Sequence, residues 1–223
     1  MTAETVATRD DAWLSNAACR ALDVCLATLL LVMLTPALAL IAIAIHLWSP
    51  GPVIFRQRRV GLDGEEFVLN KFRTMHDGVE HDVHREYVMQ LIAGDTPSGL
   101  GVDGQPYFKL AKDARVTPVG RVLRRTSLDE LPQLWNVLRG EMSLVGPRPP
   151  IPYEVDKYPP HWFERFAVRP GLTGLWQVTG RSTVTLEEMI RLDVEYVRRR
   201  SLRLNLAILV RTVPAVLSTK GAA

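Results

Sequence analysis

Hydrophobic and polar positions are distributed unevenly along the chain. Residues 21–48, ALDVCLATLLLVMLTPALALIAIAIHLW, hold only Asp23 and His46 as acidic or basic side chains, and Val24 to Ile45 holds none. A run of this length is a candidate membrane helix. As one continuous helix it would measure about 42 Å at ~1.5 Å per residue, against a hydrocarbon core of ~30 Å. Pro36 falls near its middle, directly after Thr35. A proline frees one backbone carbonyl and bends a helix, and a neighbouring threonine hydroxyl helps to satisfy what is freed. Arg56, Arg58 and Arg59 follow the run, whereas Arg9 and Arg20 precede it among Glu4, Asp10 and Asp11. The excess of positive charge assigns the C-terminal flank to the cytoplasm and gives no reason to export the N-terminal one. A kinked crossing helix and a re-entrant helix with both ends cytoplasmic both satisfy this pattern.

Beyond residue 50 the periodicity changes. VIFRQRRVG and EEFVLNKFR, separated by Leu62-Asp63-Gly64, read as a β-hairpin over 53–73, because Asp-Gly between β-rich runs is a hairpin signal. Residues 76–92 read as a polar-faced helix and 94–106 as a loop. Residues 128–139 read as a helix ended by Gly140, with Ser127-Leu128-Asp129-Glu130 as its capping box. Pro132 is the one flaw, since it denies the Leu128 carbonyl its helical partner. Two stiff, proline-containing stretches follow, SLVGPRPPIP at 143–152 and VRPGLTG at 168–174. A helix over Thr185 to Arg200 carries a Thr185–Glu188 capping box and Glu187–Arg191 and Glu195–Arg199 pairs at i, i+4. In the last segment Leu202, Leu206, Leu209, Val213 and Val216 form a helical stripe amid Arg198, Arg199, Arg200, Arg203 and Arg211. Such a basic amphipathic segment suits a membrane interface or a core face.

Composition refines this picture in three ways. The 223 residues are 47% hydrophobic and 23% charged, enough for one domain with a real core besides the apolar run. A net charge of +3 favours anionic lipid or phosphate ligands and argues only weakly for nucleic acid, which is not expected as a partner. Cys19 and Cys25, both at the start of the apolar run, form neither a disulfide framework nor a zinc pattern and indicate a reduced, cytoplasmic compartment. No feature specifies an oligomer.

The densest candidate chemistry lies in RRTSLDELPQ, residues 124–133. Asp129 and Glu130 are adjacent and so point to different sides of a helix. As the opening turn of a helix they complement its dipole; as a site they stand behind Arg124 and Arg125, where phosphate chemistry would be served. Arg148 and Arg169 each precede a proline, which restricts them to extended backbone and holds their guanidinium forks out for phosphate oxygens. Gly99, Gly101 and Gly104 match a dinucleotide-binding spacing but lack the leading strand and following helix. His76, His81 and His84 sit among Asp77, Glu80 and Asp82, which favours a solvated face over a metal site.

Four stretches in order, RALDVCLATLLLVMLTPAL, GPVIFRQRRVGLDGEEFVLNKFRTM, RVTPVGRVLRRTSLDELPQLWNVLRGEMSLVGPRP and RFAVRPGLTGLWQVTGR, resemble the bacterial sugar transferase family of monotopic polyprenyl-phosphate hexose-1-phosphate transferases. The resemblance covers most of residues 20–181. It implies an α+β protein in three parts: an N-terminal cytosolic segment 1–20, a re-entrant membrane helix 21–48 broken near Thr35 and Pro36, and a mainly helical catalytic domain 49–223. That domain would carry the small hairpin and interfacial amphipathic helices. It further implies an Asp129–Glu130 catalytic dyad and a Mg2+ requirement; the chemistry of phosphoryl transfer then makes Asp129 the expected nucleophile and metal ligand, and Arg124, Arg148 and Arg169 the expected phosphate contacts. The implied reaction moves a sugar-1-phosphate from a nucleotide-diphosphate sugar, such as a UDP-sugar, to polyprenyl (undecaprenyl) phosphate. It releases UMP by way of an aspartyl-phosphosugar intermediate and starts a lipid-linked glycan such as an exopolysaccharide. The expected place is the cytoplasmic face of the bacterial inner membrane, in contact with its lipids. A membrane-anchored Mg2+-dependent phosphodiesterase and a non-enzymatic membrane adaptor are the competing functions.

Overall fold

A computed structural model describes residues 9–76, 89, 115–180 and 184–217. Apart from His76 and Met89, the expected 76–92 helix, the 94–106 loop with its glycines, and His81 and His84 lie outside the described residues. Helix α1 (Arg9–Trp48) is followed by an antiparallel hairpin of β1 (Ile54–Val60) and β2 (Glu66–Phe72), then α2 (Pro118–Thr126) and α3 (Gln133–Arg139). Strand β3 (Ser143–Val145), α4 (Pro152–Val155), β4 (Gly171–Thr173), α5 (Leu175–Thr179), α6 (Leu186–Arg199) and α7 (Leu202–Leu217) complete the chain. The protein is thus mixed helix and small sheet, with a long apolar N-terminal helix.

Helix α1 runs from Arg9 to Trp48 and is continuous through residue 21. Polar side chains at the start of the apolar run are docked on the rest of the protein. Arg20 donates to the carbonyls of Val137 (2.7 Å) and Leu138 (3.0 Å), the last turn of α3. Asp23 accepts from the Ser143 hydroxyl (2.8 Å) and the Leu144 amide (2.9 Å). The helical pattern continues through Pro36, and the Thr35 hydroxyl donates to Leu31 O (2.7 Å), one residue away from the Val32 carbonyl that proline deprives of its amide.

The hairpin forms where the sequence places it. Ile54 pairs with Phe72 and Val60 with Glu66, and Asp63 and Gly64 turn the chain at φ 55° and 81°. The expected helix 128–139 and its capping box do not form. Ser127 instead ends α2 in the left-handed region (φ 57°), its side chain caps nothing, and Leu128–Glu130 is a single tight turn before α3. Pro132 is the physical reason, because α3 starts directly after it, at the position proline tolerates.

Asn136 fixes α3 to the hairpin. Its side-chain oxygen accepts from Asn70 N (3.1 Å) and Asn70 Nδ2 (3.0 Å), while its Nδ2 donates to Val68 O (2.7 Å) and a Glu141 carboxylate oxygen (2.6 Å). Replacing this fully buried residue by Ala is expected to cost about 3 kcal/mol in denaturant unfolding, since buried donors and acceptors lose their partners together.

The two proline-containing stretches are not independent connectors. Ser143 pairs in parallel with Gly171 and Val145 with Thr173, a crossover that no local pattern announces. Gly146 N donates to Thr173 O (2.9 Å) and Gly171 N to Pro147 O (2.9 Å). A Cβ on Gly171 would fall 2.0 Å from Gly146 N, so only glycine permits this approach.

Helix α6 matches its expected range, with the Thr185 hydroxyl accepting from Glu188 N (3.2 Å) and Glu195 pairing with Arg199 (2.5 Å). Arg191 pairs with Glu188 (3.6 Å), not Glu187. The α7 stripe is rotated from the expected one. Asn205 and Ile208 are buried with Leu204 and Leu209 against the core, whereas Leu206, Val210 and Val213 face outward together. Asn205 selects this face, because its side-chain oxygen accepts from the buried Tyr196 hydroxyl (2.8 Å).

Candidate active site

The hairpin supplies the floor of an open cleft. A two-residue period puts Gln57 and Arg59 of β1, and Leu69 and Lys71 of β2, on one face. The cleft is shallow and open to solvent, and is lined by Arg59, Leu69, Lys71, Glu130, Gln133, Arg148, Pro149, Gly171, Leu172 and Gln177. Residues from both proline-containing stretches therefore meet the hairpin and the tight turn at one place.

Glu130 is tied to the floor, not to a helix cap: Lys71 Nζ lies 2.9 Å from its carboxylate, and both side chains are mostly shielded. Asp129, its neighbour in the turn, is 9% exposed. A full helix dipole does not act on Asp129, since the turn is three residues long. Around Glu130 the favourable field comes from side chains, Arg59 and Lys71 among them. Arg59 is buried and donates to Pro149 O (3.0 Å) and Gln57 Oε1 (2.7 Å). Burial, followed by the nearby Arg148 guanidinium, lowers its pKa to about 10, which leaves it charged at neutral pH.

Arg148 lines the cleft, and its backbone is held from behind. Arg165, 1% exposed, donates to Arg148 O (2.8 Å) and pairs with the equally buried Asp193 (2.5 Å). Arg124, at the end of α2, donates its Nε to the Thr74 hydroxyl (2.9 Å). Arg169 does not line the cleft. Its Nε donates to Gly140 O (2.7 Å), which bonds the second Arg-Pro stretch to the end of α3.

Of the residues singled out in the sequence, the structure thus brings Glu130 and Arg148 to the cleft, with Asp129 beside Glu130 in the turn. Arg59, Lys71, Gln133 and Gln177 were not among them. The alternation of the hairpin carries a signal for Arg59 and Lys71, which fall on the same face, but their cleft exists only once the 143–152 and 168–174 stretches arrive. No cluster of three or more His, Cys, Asp or Glu side chains gathers among the described residues. Magnesium suits a sparser site, because it keeps several waters and takes one or two carboxylates together with substrate phosphates. The turn offers two adjacent carboxylates, Asp129 and Glu130, the latter paired with Lys71.

A cationic cleft of this kind with one adjacent carboxylate pair fits an anionic phosphate substrate. The family profile described as bacterial sugar transferase matches residues 14–219. The chain belongs to that family. Among its relatives is a UDP-glucose:undecaprenyl-phosphate glucose-1-phosphate transferase of Caulobacter vibrioides, 45% identical over 91% of this chain and 71% of that protein. The exopolysaccharide production protein ExoY of Sinorhizobium fredii is 39% identical over 91% of this chain and 86% of its own length. An undecaprenyl-phosphate galactose phosphotransferase of Salmonella typhimurium is 38% identical, and there the chain spans 41% of the relative. As a sugar transferase the protein is an enzyme, which removes the adaptor reading.

Proposed function

We propose that this enzyme transfers a hexose-1-phosphate from a UDP-sugar to undecaprenyl phosphate, releasing UMP, at the cytoplasmic face of the bacterial inner membrane. The observation that carries this reading is the Asp129–Glu130 turn set beside a cleft of Arg59, Lys71 and Arg148, in a chain whose relatives are named for such transfers.

In this mechanism the Asp129 carboxylate attacks the phosphorus attached to the sugar. The bond from that phosphorus to the bridging oxygen breaks, UMP leaves with the oxygen, and an acyl phosphate carrying the sugar remains on Asp129. An oxygen of undecaprenyl phosphate then attacks the same phosphorus, restoring the carboxylate and forming the lipid diphosphate sugar. Arg59, Arg148 and Lys71 hold the non-bridging oxygens, whose charge must be offset as the bonds exchange. Glu130 keeps Lys71 oriented and reaches the incoming acceptor's proton. Asp129, with Glu130, would hold Mg2+, which would supply further neutralisation of the diphosphate.

The membrane course of α1 fits the re-entrant alternative. Its first half rests on the core through Cys19, Asp23 and Ala27, and its last turns rest on Phe72 and Leu123 through Ile45. Thr35, Pro36 and Ala37, midway between these contacts, are all exposed. A spanning helix puts its ends about 30 Å apart on opposite sides of the hydrocarbon core, which leaves one globular body in contact with only one of them. The outward Leu206, Val210 and Val213 of α7 are exposed together, which supports an interfacial placement of this helix.

The deciding experiment follows nucleotide release from UDP-glucose and UDP-galactose, with and without undecaprenyl phosphate. UMP release with a lipid diphosphate sugar product is the expected result. UDP release would indicate direct glycosyl transfer, and acceptor-independent hydrolysis a phosphodiesterase; either overturns the proposal.

A further inference from the structure

The stretch Asn70-Lys71-Phe72-Arg73-Thr74, where β2 ends, sends successive side chains to separate parts of the protein. Asn70 bonds Asn136, Lys71 pairs with Glu130, and Phe72 packs with Ile45 of α1 and Leu123 of α2. Arg73, 5% exposed, donates one Nη to Pro50 O (2.9 Å) and the other to Ser49 O, the carbonyls that directly follow α1. Its own amide donates to Val53 O (2.9 Å). Thr74 is also buried, and its hydroxyl accepts from Arg124 Nε.

The backbone of Thr74 is fixed as firmly as its side chain. Its carbonyl accepts from Thr117 N (3.0 Å), and Gly120 of α2 lies against it so closely that a Cβ there would fall 2.1 Å from that oxygen. Thr117 in turn caps α2 by accepting from Gly120 N (2.9 Å). The beginning of α2 is therefore seated on Thr74 O, and Arg124 near its end is bonded to Thr74 Oγ1. Engaging Nε orients a guanidinium as a plane, because all its donors are rigidly related.

We propose that Thr74 is a positioning residue for Arg124, and that Arg73 beside it registers this contact to the point where the apolar helix leaves the membrane. The exit of α1 and the direction of the Arg124 fork are then set by two adjacent residues. This inference rests on the reading of Arg124, made from the sequence, as a further contact to the transferring phosphate beside those of the cleft.

The test is a kinetic cycle on the full chain in detergent or native membrane particles, with nucleoside monophosphate release as the readout. Thr74→Val keeps the buried volume and removes the acceptor; Thr74→Ser keeps the acceptor. Thr74→Val is expected to lower kcat by about 10- to 100-fold with KM for the sugar nucleotide changed by less than about 2-fold, the pattern of a misdirected transition-state contact. Thr74→Ser is expected to restore kcat to within about 3-fold of the parent. Combining Thr74→Val with Arg124→Lys is expected to cost no more than Arg124→Lys alone, since both remove one interaction. Should Thr74→Val not fold, Thr74→Ala takes its place in the cycle. Full additivity in the double variant, or a Ser variant as slow as Val, overturns the positioning role. An Arg124→Lys enzyme of normal kcat overturns the reading of Arg124 itself, a separate result.

Discussion

Asp129→Asn is expected to abolish turnover, lowering nucleoside monophosphate release by at least about a thousandfold, because the amide removes the attacking oxygen's charge while keeping its shape. Incubation with a sugar nucleotide labelled in the phosphate next to the sugar should leave a labelled adduct on the parent enzyme and none on the variant. The substitution is nearly isosteric, and the tight turn of Leu128–Glu130 is held by backbone bonds such as Glu130 N to Ser127 O (3.3 Å). A folded but inactive enzyme is thus the expected state, checked by an unchanged thermal transition. Label retained by a variant that still turns over would exclude Asp129 as the nucleophile.

The second large effect lies behind the cleft. Asp193→Ala is expected to destabilise the protein by about 3–5 kcal/mol, the range for breaking a buried ion pair from one side. Both partners are 1% exposed, so Arg165 would keep a charge that water cannot reach. Burial raises the Asp193 carboxyl to about 6 against the pull of Arg165, which leaves the pair ionised at neutral pH. Loss of Asp193 also loosens the Arg165 contact to Arg148 O, so kcat should fall with stability. The double variant Arg165→Met with Asp193→Leu separates the two effects. It should recover most of the stability in urea unfolding, since an apolar pair of similar volume replaces the ions, while the catalytic loss remains because Arg148 O still lacks its donor. Recovery of both would make the pair purely structural.

Physical reasons separate what was legible in the sequence from what was not. The apolar helix, the hairpin with its Asp-Gly turn and helix α6 with its Thr185 cap are local: each is encoded by periodicity and a terminating residue a few positions away. The RRTSLDELPQ stretch was legible as a concentration of charge, yet its capping box was misread. A local motif matched, and Pro132, also local, was already the contrary signal. The bond of Arg169 to Gly140 was not legible, for a different reason. A stiff Arg-Pro stretch determines that the side chain projects from a fixed backbone, and only the fold determines that Gly140 O meets it.

By itself, then, the amino-acid sequence determined a long apolar helix, the secondary elements with their own turn and cap chemistry, and the adjacency of Asp129 and Glu130. The tertiary structure decided which charges share a cleft. Arg59 and Lys71 come from one hairpin and Arg148 from a stretch far along the chain, and they converge because Asn136 binds α3 to β2, Gly146 and Gly171 let two backbones touch, and Arg165 holds Arg148 from behind. Each of these contacts depends on burial and on hydrogen-bond partners far apart in the chain, which no short-range pattern of hydrophobic and polar residues encodes.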